Sequence, residues 1–210
     1  MRGPRQLIVV GGGEHARVVV EAARSRPAEW SVQGFLDPLP CEETQARLSL
    51  ERLGDDREAA RFEGAWLVLG IGDPQRRREA VARMPFARWA IVVHERAWVS
   101  PSATLAPGTV AMAGAVVNAC AYVGEHCVIN SGALLEHDVQ VAAYVHVGPG
   151  AAVGGGASIG AGSQIGLGAR IRDHVRVGAN AMVGMGAVVL EPVGDGCTVF
   201  GVPARERTDG

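Results

Sequence analysis

The sequence predicts a small α/β domain followed by a parallel β-helix, and two periodicities decide this. Residues 7–93 alternate short apolar runs with stretches whose apolar residues recur at helical spacing, the pattern of a parallel sheet covered by helices. From Val99 to Val189 an aliphatic residue then stands at every sixth position, the signature of hexapeptide repeats. We therefore expect one domain over residues 1–94 and a second over residues 95–210.

The elements of the α/β domain follow from local signals. Apolar runs predict four strands, at Leu7–Val10, Val32–Leu36, Trp66–Ile71 and Trp89–Val93. The first three runs end at Gly or Asp-Pro, which are typical of turns. Helices are expected at Glu14–Arg26, near Asp56–Phe62 and at Gln75–Met84, and the rest of the segment 39–64 has no clear pattern.

The hexapeptide segment has two lanes of residues that should face a core. The aliphatic slots are Val99, Leu105, Ala111, Val117, Val123, Ile129, Leu135, Val141, Val147, Val153, Ile159, Ile165, Ile171, Val177, Val183 and Val189. The residue two places before each slot is small or of modest size, and side chains two apart on a strand share a face. Three repeats should close one coil, so that residues 18 apart stack.

The three positions after each slot should form a corner of the coil. Glycine recurs at the first of them, as in Gly124 and Gly148, and Asn118 and Asn130 occupy the same place. Glycine and asparagine tolerate positive φ, so we expect the left-handed backbone at this first corner position.

Composition and charge exclude several classes of protein. The 210 residues carry a formal net charge of −2 without a basic stripe, which argues against nucleic acid as a partner. No apolar run reaches the length of a membrane span, and the start MRGPRQ lacks the apolar region of a signal peptide. The cysteines form no CxxC pair, so zinc-ribbon and redox motifs are excluded, and we expect a reduced, cytoplasmic setting.

Two histidines of the repeat segment are candidates for chemistry. His137 falls at the second corner position after Leu135, and His146 falls on an outward-facing strand position. Glu136 and Asp138 flank His137, and a carboxylate beside an imidazole stabilises its charged form and fixes its tautomer, which suits a general base. The outward-facing positions of the coils carry many apolar side chains and few charges, which predicts a homo-oligomer of closed symmetry.

Three strings give the chain a specific resemblance over nearly its whole length. They are Val9-Val10-Gly11-Gly12-Gly13-Glu14-His15, Asn130-Ser131-Gly132-Ala133-Leu134-Leu135-Glu136-His137-Asp138 with His146 beyond it, and Phe200-Gly201-Val202-Pro203-Ala204. The chain resembles hexapeptide-repeat sugar acyltransferases, namely UDP-4-amino-sugar and perosamine N-acetyltransferases and proteins similar to sialic acid O-acetyltransferases. The resemblance implies a Rossmann-like βαβ domain that binds a nucleotide-sugar, joined to a left-handed β-helix, in a homotrimer.

The activity that the resemblance implies is acetyl transfer from acetyl-CoA, without a metal, to an amino or hydroxyl group of a sugar. The foremost acceptor is a nucleotide-linked 4-amino-4,6-dideoxy sugar. His137 matches the general base of a direct attack, Asp138 the acid that raises its basicity, and His146 a contact of acetyl-CoA near the thioester. The cofactor groove matches Gly155, Leu167 and Met185. Asn118, 18 residues before Glu136, should lie beneath the corner of the base and contact substrate.

The glycine loop after the first strand is a candidate nucleotide site. Gly11–Ala16 resembles the Gly-x-Gly-x-x-Ala fingerprint of dinucleotide folds, with Asp37 at a suitable distance, which taken alone would suggest NAD. The resemblance instead implies the nucleotide of a nucleotide-sugar, bound by Gly13, Glu14, His15, Asp37, Gly72 and Asp73. The run Arg76-Arg77-Arg78 is either a phosphate contact or a solvated helix face.

Two alternatives remain open at this stage. One is a trimeric metalloenzyme of the γ-carbonic-anhydrase type, for which the donors would be His126, His137, His146 and His174. These histidines occupy three different positions of the repeat, whereas zinc needs three convergent ligands. The other alternative is a sugar-nucleotide-binding scaffold without activity.

Overall fold

The computed structural model describes residues 3–206 and divides them into two compact units, one ending at Glu95 and one beginning at Arg96. Residues 1–2 and 207–210 of the expected domains lie outside the described part. The predicted fold class is confirmed: a Rossmann-like α/β unit precedes a left-handed parallel β-helix.

The first unit is built on a parallel sheet of five strands in the order β3-β2-β1-β4-β5. Its central strand, β1, has four consecutive buried apolar residues, Leu7 to Val10, as a strand covered on both faces requires. The strands are β1 (Arg5–Val10), β2 (Trp30–Leu36), β3 (Arg52–Gly54), β4 (Trp66–Leu69) and β5 (Arg88–Trp89). The helices are α1 (Glu14–Arg24), α2 (Glu42–Leu48), a 3-10 helix (Asp56–Phe62) and α3 (Pro74–Arg83).

Most predicted elements of this unit are present, with three differences. The expected fourth strand is two short ones, β5 and β6 (Val92–Val93), and only β5 belongs to the sheet. The helix at residues 56–62 is a 3-10 helix. The elements α2 and β3 were missed because seven and three residues are too few to show a periodicity.

The second unit is a coil of sixteen two-residue strands, each ending at a predicted slot, followed by two further strands. Its three parallel sheets have the orders β7-β10-β13-β16-β19-β22, β8-β11-β14-β17-β20 and β9-β12-β15-β18-β21-β23-β24, with β24 antiparallel. From β7 to β22, neighbouring strands pair residues 18 apart, such as Val117 with Leu135, which confirms the predicted stacking. The strands are β7 (Trp98–Val99), β8 (Thr104–Leu105), β9 (Val110–Ala111), β10 (Val116–Val117), β11 (Tyr122–Val123), β12 (Val128–Ile129), β13 (Leu134–Leu135), β14 (Gln140–Val141), β15 (His146–Val147), β16 (Ala152–Val153), β17 (Ser158–Ile159), β18 (Gln164–Ile165), β19 (Arg170–Ile171), β20 (Arg176–Val177), β21 (Met182–Val183), β22 (Val188–Val189), β23 (Thr198–Phe200) and β24 (Arg205–Glu206).

Hydroxyl groups in the inward lane of the coil are paired with backbone. Thr109 Oγ1 donates to Gly124 O at 2.9 Å, and Ser163 Oγ donates to Gly178 O at 2.6 Å. Both side chains are fully buried, so these bonds satisfy groups that water cannot reach.

The expected place of the left-handed backbone was wrong. Positive φ occurs at the third corner position, as at Gly132 (65°) and Asp138 (59°), and not at Gly148 or Asn118 in the first. The first position needs glycine for space, because a Cβ on Gly148 would stand 2.7 Å from Ile165 O of the next coil. Besides glycines, the left-handed third position is held by Cys120, His126, Asp138, Tyr144, His174 and Asn180.

Candidate active site

His137 and Asp138 form a hydrogen-bonded pair at the corner after β13. Adjacent side chains on an extended strand point apart, but the positive φ of Asp138 turns its carboxylate back towards the imidazole. His137 Nδ1 lies 2.8 Å from Asp138 Oδ2, so the predicted approach of the two side chains is confirmed. The corner thus presents a carboxylate–imidazole pair, which is the minimum arrangement for a general base.

The hydrogen bond with Asp138 raises the pKa of His137 above its ordinary 6.5, and the negative charges of Asp138 and Glu136 act in the same direction. The side chain of His137 is 62% exposed, so a substrate can reach the ring. Since a carboxylate only accepts, Nδ1 carries the proton of the neutral imidazole and Nε2 keeps its lone pair. Nε2 is therefore the atom that can take a proton.

Gly155 lies beneath the imidazole, on the coil that follows His137. A Cβ on Gly155 would stand 2.6 Å from Nε2 and 2.7 Å from Cε1 of His137. The backbone of the two coils is joined here, because Gly156 N donates to His137 O at 2.9 Å. The ring thus rests on the bare backbone of Gly155, whose role towards a cofactor stays a prediction.

Asn118 lies one coil before Glu136, as the 18-residue stacking predicted. Its Nδ2 donates to Glu136 Oε2 at 3.1 Å. This bond fixes the carboxylate of Glu136 next to His137, and a substrate contact of Asn118 stays a prediction.

His146 stands on β15 with its side chain outward and half-buried, as its position in the repeat predicted. Its Nε2 lies 3.0 Å from Nδ2 of Asn130. The amide of Asn130 is oriented by Ser131 N, which donates to Oδ1 at 2.8 Å, so Nδ2 is left to donate to the imidazole. His146 therefore accepts at Nε2 and carries its proton on Nδ1.

Asn130 contacts His146 in this site, and the sequence did not predict that contact. It belongs to the string that ends at Asp138, but nothing in that string assigned it a contact. The strand pairing Ile129–Val147 places it beside His146, 16 residues further on. A search for polar side chains flanking paired slots would have found it.

Leu167 and Met185 stack on neighbouring coils, as predicted. Each is the second residue after a slot, and Gly186 N donates to Leu167 O at 2.8 Å across the two coils. Their side chains are 55% and 78% exposed, which is unusual for large apolar groups. They form an apolar ledge along the coil, and its contact with a cofactor stays a prediction.

The predicted nucleotide residues of the first unit line one cavity of about 640 Å³. The cavity lies beyond the carboxyl ends of β1 and β4, where the strand order reverses, the usual ligand position in open α/β sheets. Its lining contains all six residues named above, Gly13, Glu14, His15, Asp37, Gly72 and Asp73.

Asp37 holds the glycine loop in place. Gly12 N donates to its Oδ2 at 2.7 Å, and Leu39 N donates to its Oδ1 at 2.8 Å. The loop is also fixed by contact, because a Cβ on Gly12 would stand 2.4 Å from the ring of Phe35. Asp37 thus organises this wall of the cavity.

The two helices that begin at the cavity differ at their N-termini. Gly13 precedes α1 and gives it no side-chain cap, and Ala16 N donates to Gly13 O at 3.1 Å. Asp73 caps α3, where its Oδ1 accepts from Arg76 N at 2.8 Å. The start of α3 thus holds a capping carboxylate, whereas the residue before α1 is a glycine.

Arg77 supports the cavity from within the fold and is not part of a solvated face. It is 1% exposed, and its Nη1 donates to Gly72 O at 2.6 Å and to Ile71 O at 3.3 Å. The run of arginines at the start of α3 is therefore not uniform, since its middle residue is turned into the core.

Within residues 3–206, no group of three or more His, Cys, Asp or Glu side chains is arranged to hold a metal ion. In the same part of the chain, no helix combines the length and apolar character needed to cross a bilayer.

Comparisons with known proteins decide the family. Residues 6–84 match the PglD N-terminal domain. A mutant of perosamine N-acetyltransferase from Caulobacter crescentus, in complex with CoA and GDP-perosamine, is 32% identical with a TM-score of 0.86, over 100% of this chain and 98% of that one. This chain belongs to the sugar acyltransferase family. The resemblance stated from the sequence is thereby confirmed.

Two further solved structures are similar to this chain. The acetyltransferase domain of PglB from Neisseria gonorrhoeae FA1090, in complex with acetyl coenzyme A, is 31% identical with a TM-score of 0.89, over 98% of this chain and 100% of that one. WeeI from Acinetobacter baumannii AYE shares the fold at 19% identity with a TM-score of 0.72. No curated protein sequence matches this sugar acyltransferase.

Proposed function

We propose that this acyltransferase moves an acetyl group from acetyl-CoA to the amino group of a nucleotide-linked 4-amino-4,6-dideoxy sugar. The observation that carries the proposal is the hydrogen bond between His137 Nδ1 and Asp138 Oδ2, at 2.8 Å. Gly155 has no Cβ that would crowd Nε2 of His137. The amine is favoured over a hydroxyl because the solved relative bound to GDP-perosamine is an N-acetyltransferase.

His137 acts as the general base of a direct attack. The amine nitrogen bonds to the thioester carbonyl carbon while Nε2 of His137 takes the proton of the amine. Asp138 stabilises the imidazolium that results, through its bond to Nδ1. The C–S bond then breaks, the proton goes to the sulfur, and CoA leaves as the thiol. Holding both substrates beside one base lowers the entropic part of the activation free energy.

His146 binds the acetyl donor at its thioester. With its proton on Nδ1, fixed by Asn130 at Nε2, it offers a hydrogen-bond donor to the thioester oxygen, where negative charge develops during attack. The apolar ledge of Leu167 and Met185 suits the pantetheine arm of acetyl-CoA, which has few charges.

The cavity of the first unit takes the nucleotide. The positive end of the α1 dipole favours the diphosphate, and the glycine loop lets phosphate approach the backbone closely. Asp37 keeps this loop in its binding conformation through Gly12.

We also propose that the enzyme is a homotrimer. Outward-facing positions of the coil leave large apolar side chains exposed, among them Trp98 at 59% and Met182 at 46%. Burial of such groups against further copies would stabilise an assembly. Light scattering coupled to size exclusion should give three times the chain mass, and a monomer would contradict this part of the proposal.

The test is thiol release from acetyl-CoA with UDP- and GDP-linked 4-amino sugars, with sialic acid and without acceptor. Release that depends on a nucleotide-linked amino sugar, and mass-spectrometric detection of the N-acetylated product, are expected. His137→Ala should lower kcat by about 100-fold or more, while acetyl-CoA affinity stays near that of the wild type. His174→Ala, which removes another exposed corner histidine, is the control.

Other outcomes of these assays would favour a different activity or contradict the assigned base. Release with sialic acid alone would indicate O-acetylation. Acetyl-CoA binding without turnover on any acceptor would favour the scaffold without activity. Turnover by His137→Ala at the wild-type rate would refute the assigned base.

A further inference from the structure

We propose that Arg76 is the residue by which this enzyme selects a diphosphate-linked acceptor over a free sugar. The inference rests on the proposed function and names a determinant of substrate choice within the cavity of the first unit. Arg76 lines that cavity from the first turn of α3.

Most carboxylates around the cavity have a hydrogen-bond partner, although only one of them is in an ion pair. Its lining holds five carboxylates, of Glu14, Asp37, Asp56, Asp73 and Glu79. Two of them accept backbone amides, as described for Asp37 and Asp73. Asp56 is paired with Arg83, and Glu79 accepts from Gln75. Glu14 is the carboxylate that remains.

Arg76 is the arginine of this lining without a carboxylate partner. Arg83 is engaged by Asp56, whereas within residues 3–206 no ion pair joins the guanidinium of Arg76 to an acidic side chain. Glu79 lies three residues further along the same helix and still bonds Gln75 instead. The cavity therefore offers one unpaired guanidinium to its ligand.

Arg76 has an exposed side chain at the start of α3, a helix that Asp73 already caps. A guanidinium matches two phosphate oxygens at once, which a sugar hydroxyl cannot do.

The experiment is calorimetric titration of the full chain with two series of three probes each: guanosine, GMP and GDP, and uridine, UMP and UDP. In the wild type, affinity in one series should rise with each phosphate. Arg76→Gln should weaken the nucleoside diphosphate by about tenfold or more and leave the nucleoside unchanged, since only the charged hydrogen bonds are lost. Arg76→Lys should recover part of the loss.

Arg78→Gln is the matched control, because it removes the same charge from the same helix at a residue outside the cavity lining. It should bind every probe as the wild type does. Acetyl-CoA affinity should be unchanged in all variants.

Three results would count against the inference. A wild-type chain that binds no nucleoside diphosphate would contradict both the proposed nucleotide-linked acceptor and the proposed role of Arg76. Wild-type binding that Arg76→Gln leaves intact would overturn the role of Arg76 alone. An equal loss for nucleoside and diphosphate would show that Arg76 shapes the cavity without selecting phosphate.

Discussion

The imidazole ring of His137 rests on Gly155 of the following coil, so closely that a Cβ on Gly155 would stand 2.6 Å from Nε2. Among the sixteen residues at this second corner position, Gly155 is the only glycine. Alanine fills the same position elsewhere, for example at Ala119 and Ala161, so the corner backbone itself accepts a Cβ. The glycine is required by the histidine above it.

Gly155→Ala should therefore displace the imidazole of His137 without unfolding the coil. A ring shifted by about 1 Å can lower turnover by as much as about 100-fold, because the attack depends on alignment. We expect a large fall in kcat with little change in the thermal midpoint. Ala161→Gly, the reverse exchange at a corner without a histidine, should leave kcat unchanged. A wild-type kcat in Gly155→Ala would contradict this prediction, because it would show that the imidazole of His137 keeps an active position beside a Cβ.

The period of the sequence was enough to place His137 in the coil but not to explain its surroundings. Counting by six put His137 at a corner and Asp138 within reach, and both positions were right. The same count could not tell which corner position is left-handed, since glycine occurs at the first for space and at the third for φ. That distinction depends on the backbone of the next coil, which lies far away in sequence.

Asn130 and Arg77 show a second limit of sequence reasoning. The bond of Asn130 to His146 spans 16 residues, not the 18 of the stacking period, and follows only from the shape of the corner. Arg77 sits between two arginines with exposed or half-exposed side chains, and no local pattern marks it as buried. Its burial depends on the carbonyl groups of the loop at Gly72.

The pH dependence of activity should reflect the hydrogen bond between His137 and Asp138. The base must be neutral to accept a proton, and the bond to Asp138 raises the pKa of His137, so activity should be lost as pH falls through a value above 6.5. In Asp138→Asn the pKa of His137 drops, so the acid limb of kcat/KM moves to lower pH. The plateau should also fall, by roughly tenfold, because the imidazolium loses its counter-charge.

The control for Asp138→Asn is Glu125→Gln, which removes a carboxylate from an exposed corner elsewhere on the coil. Its profile should overlie that of the wild type. An acid limb that stays in place in Asp138→Asn would mean that the limb belongs to another group.

The tautomer of His146 offers a test that needs no substrate. In the wild type, Asn130 donates to Nε2, so nitrogen NMR should show His146 protonated at Nδ1. In Asn130→Asp the carboxylate can only accept, and a proton should appear on Nε2. If the Nδ1 donor serves the thioester oxygen, kcat should fall by up to about 100-fold. An unchanged tautomer in Asn130→Asp would contradict the assigned direction of this bond.

The buried hydroxyl of Ser163 should contribute measurably to the stability of the coil. Its Oγ donates to Gly178 O at 2.6 Å and accepts from Ala181 N at 3.0 Å, and the side chain is fully buried. Ser163→Ala leaves both backbone groups without a partner in a place that water does not reach. Each such group costs about 1–3 kcal/mol, so we expect the free energy of unfolding to fall by about 2 kcal/mol or more.

Urea unfolding at one fixed protein concentration should measure this loss, because an oligomer's stability depends on concentration. Ser158→Ala removes the same hydroxyl from an outward position of the same coil and should change the free energy of unfolding by less than about 0.5 kcal/mol. An equal, small effect of both substitutions would mean that water reaches the backbone beside Ser163. A large effect of Ser163→Ala alone would show that the narrow core depends on its few hydroxyl groups as well as on its aliphatic slots.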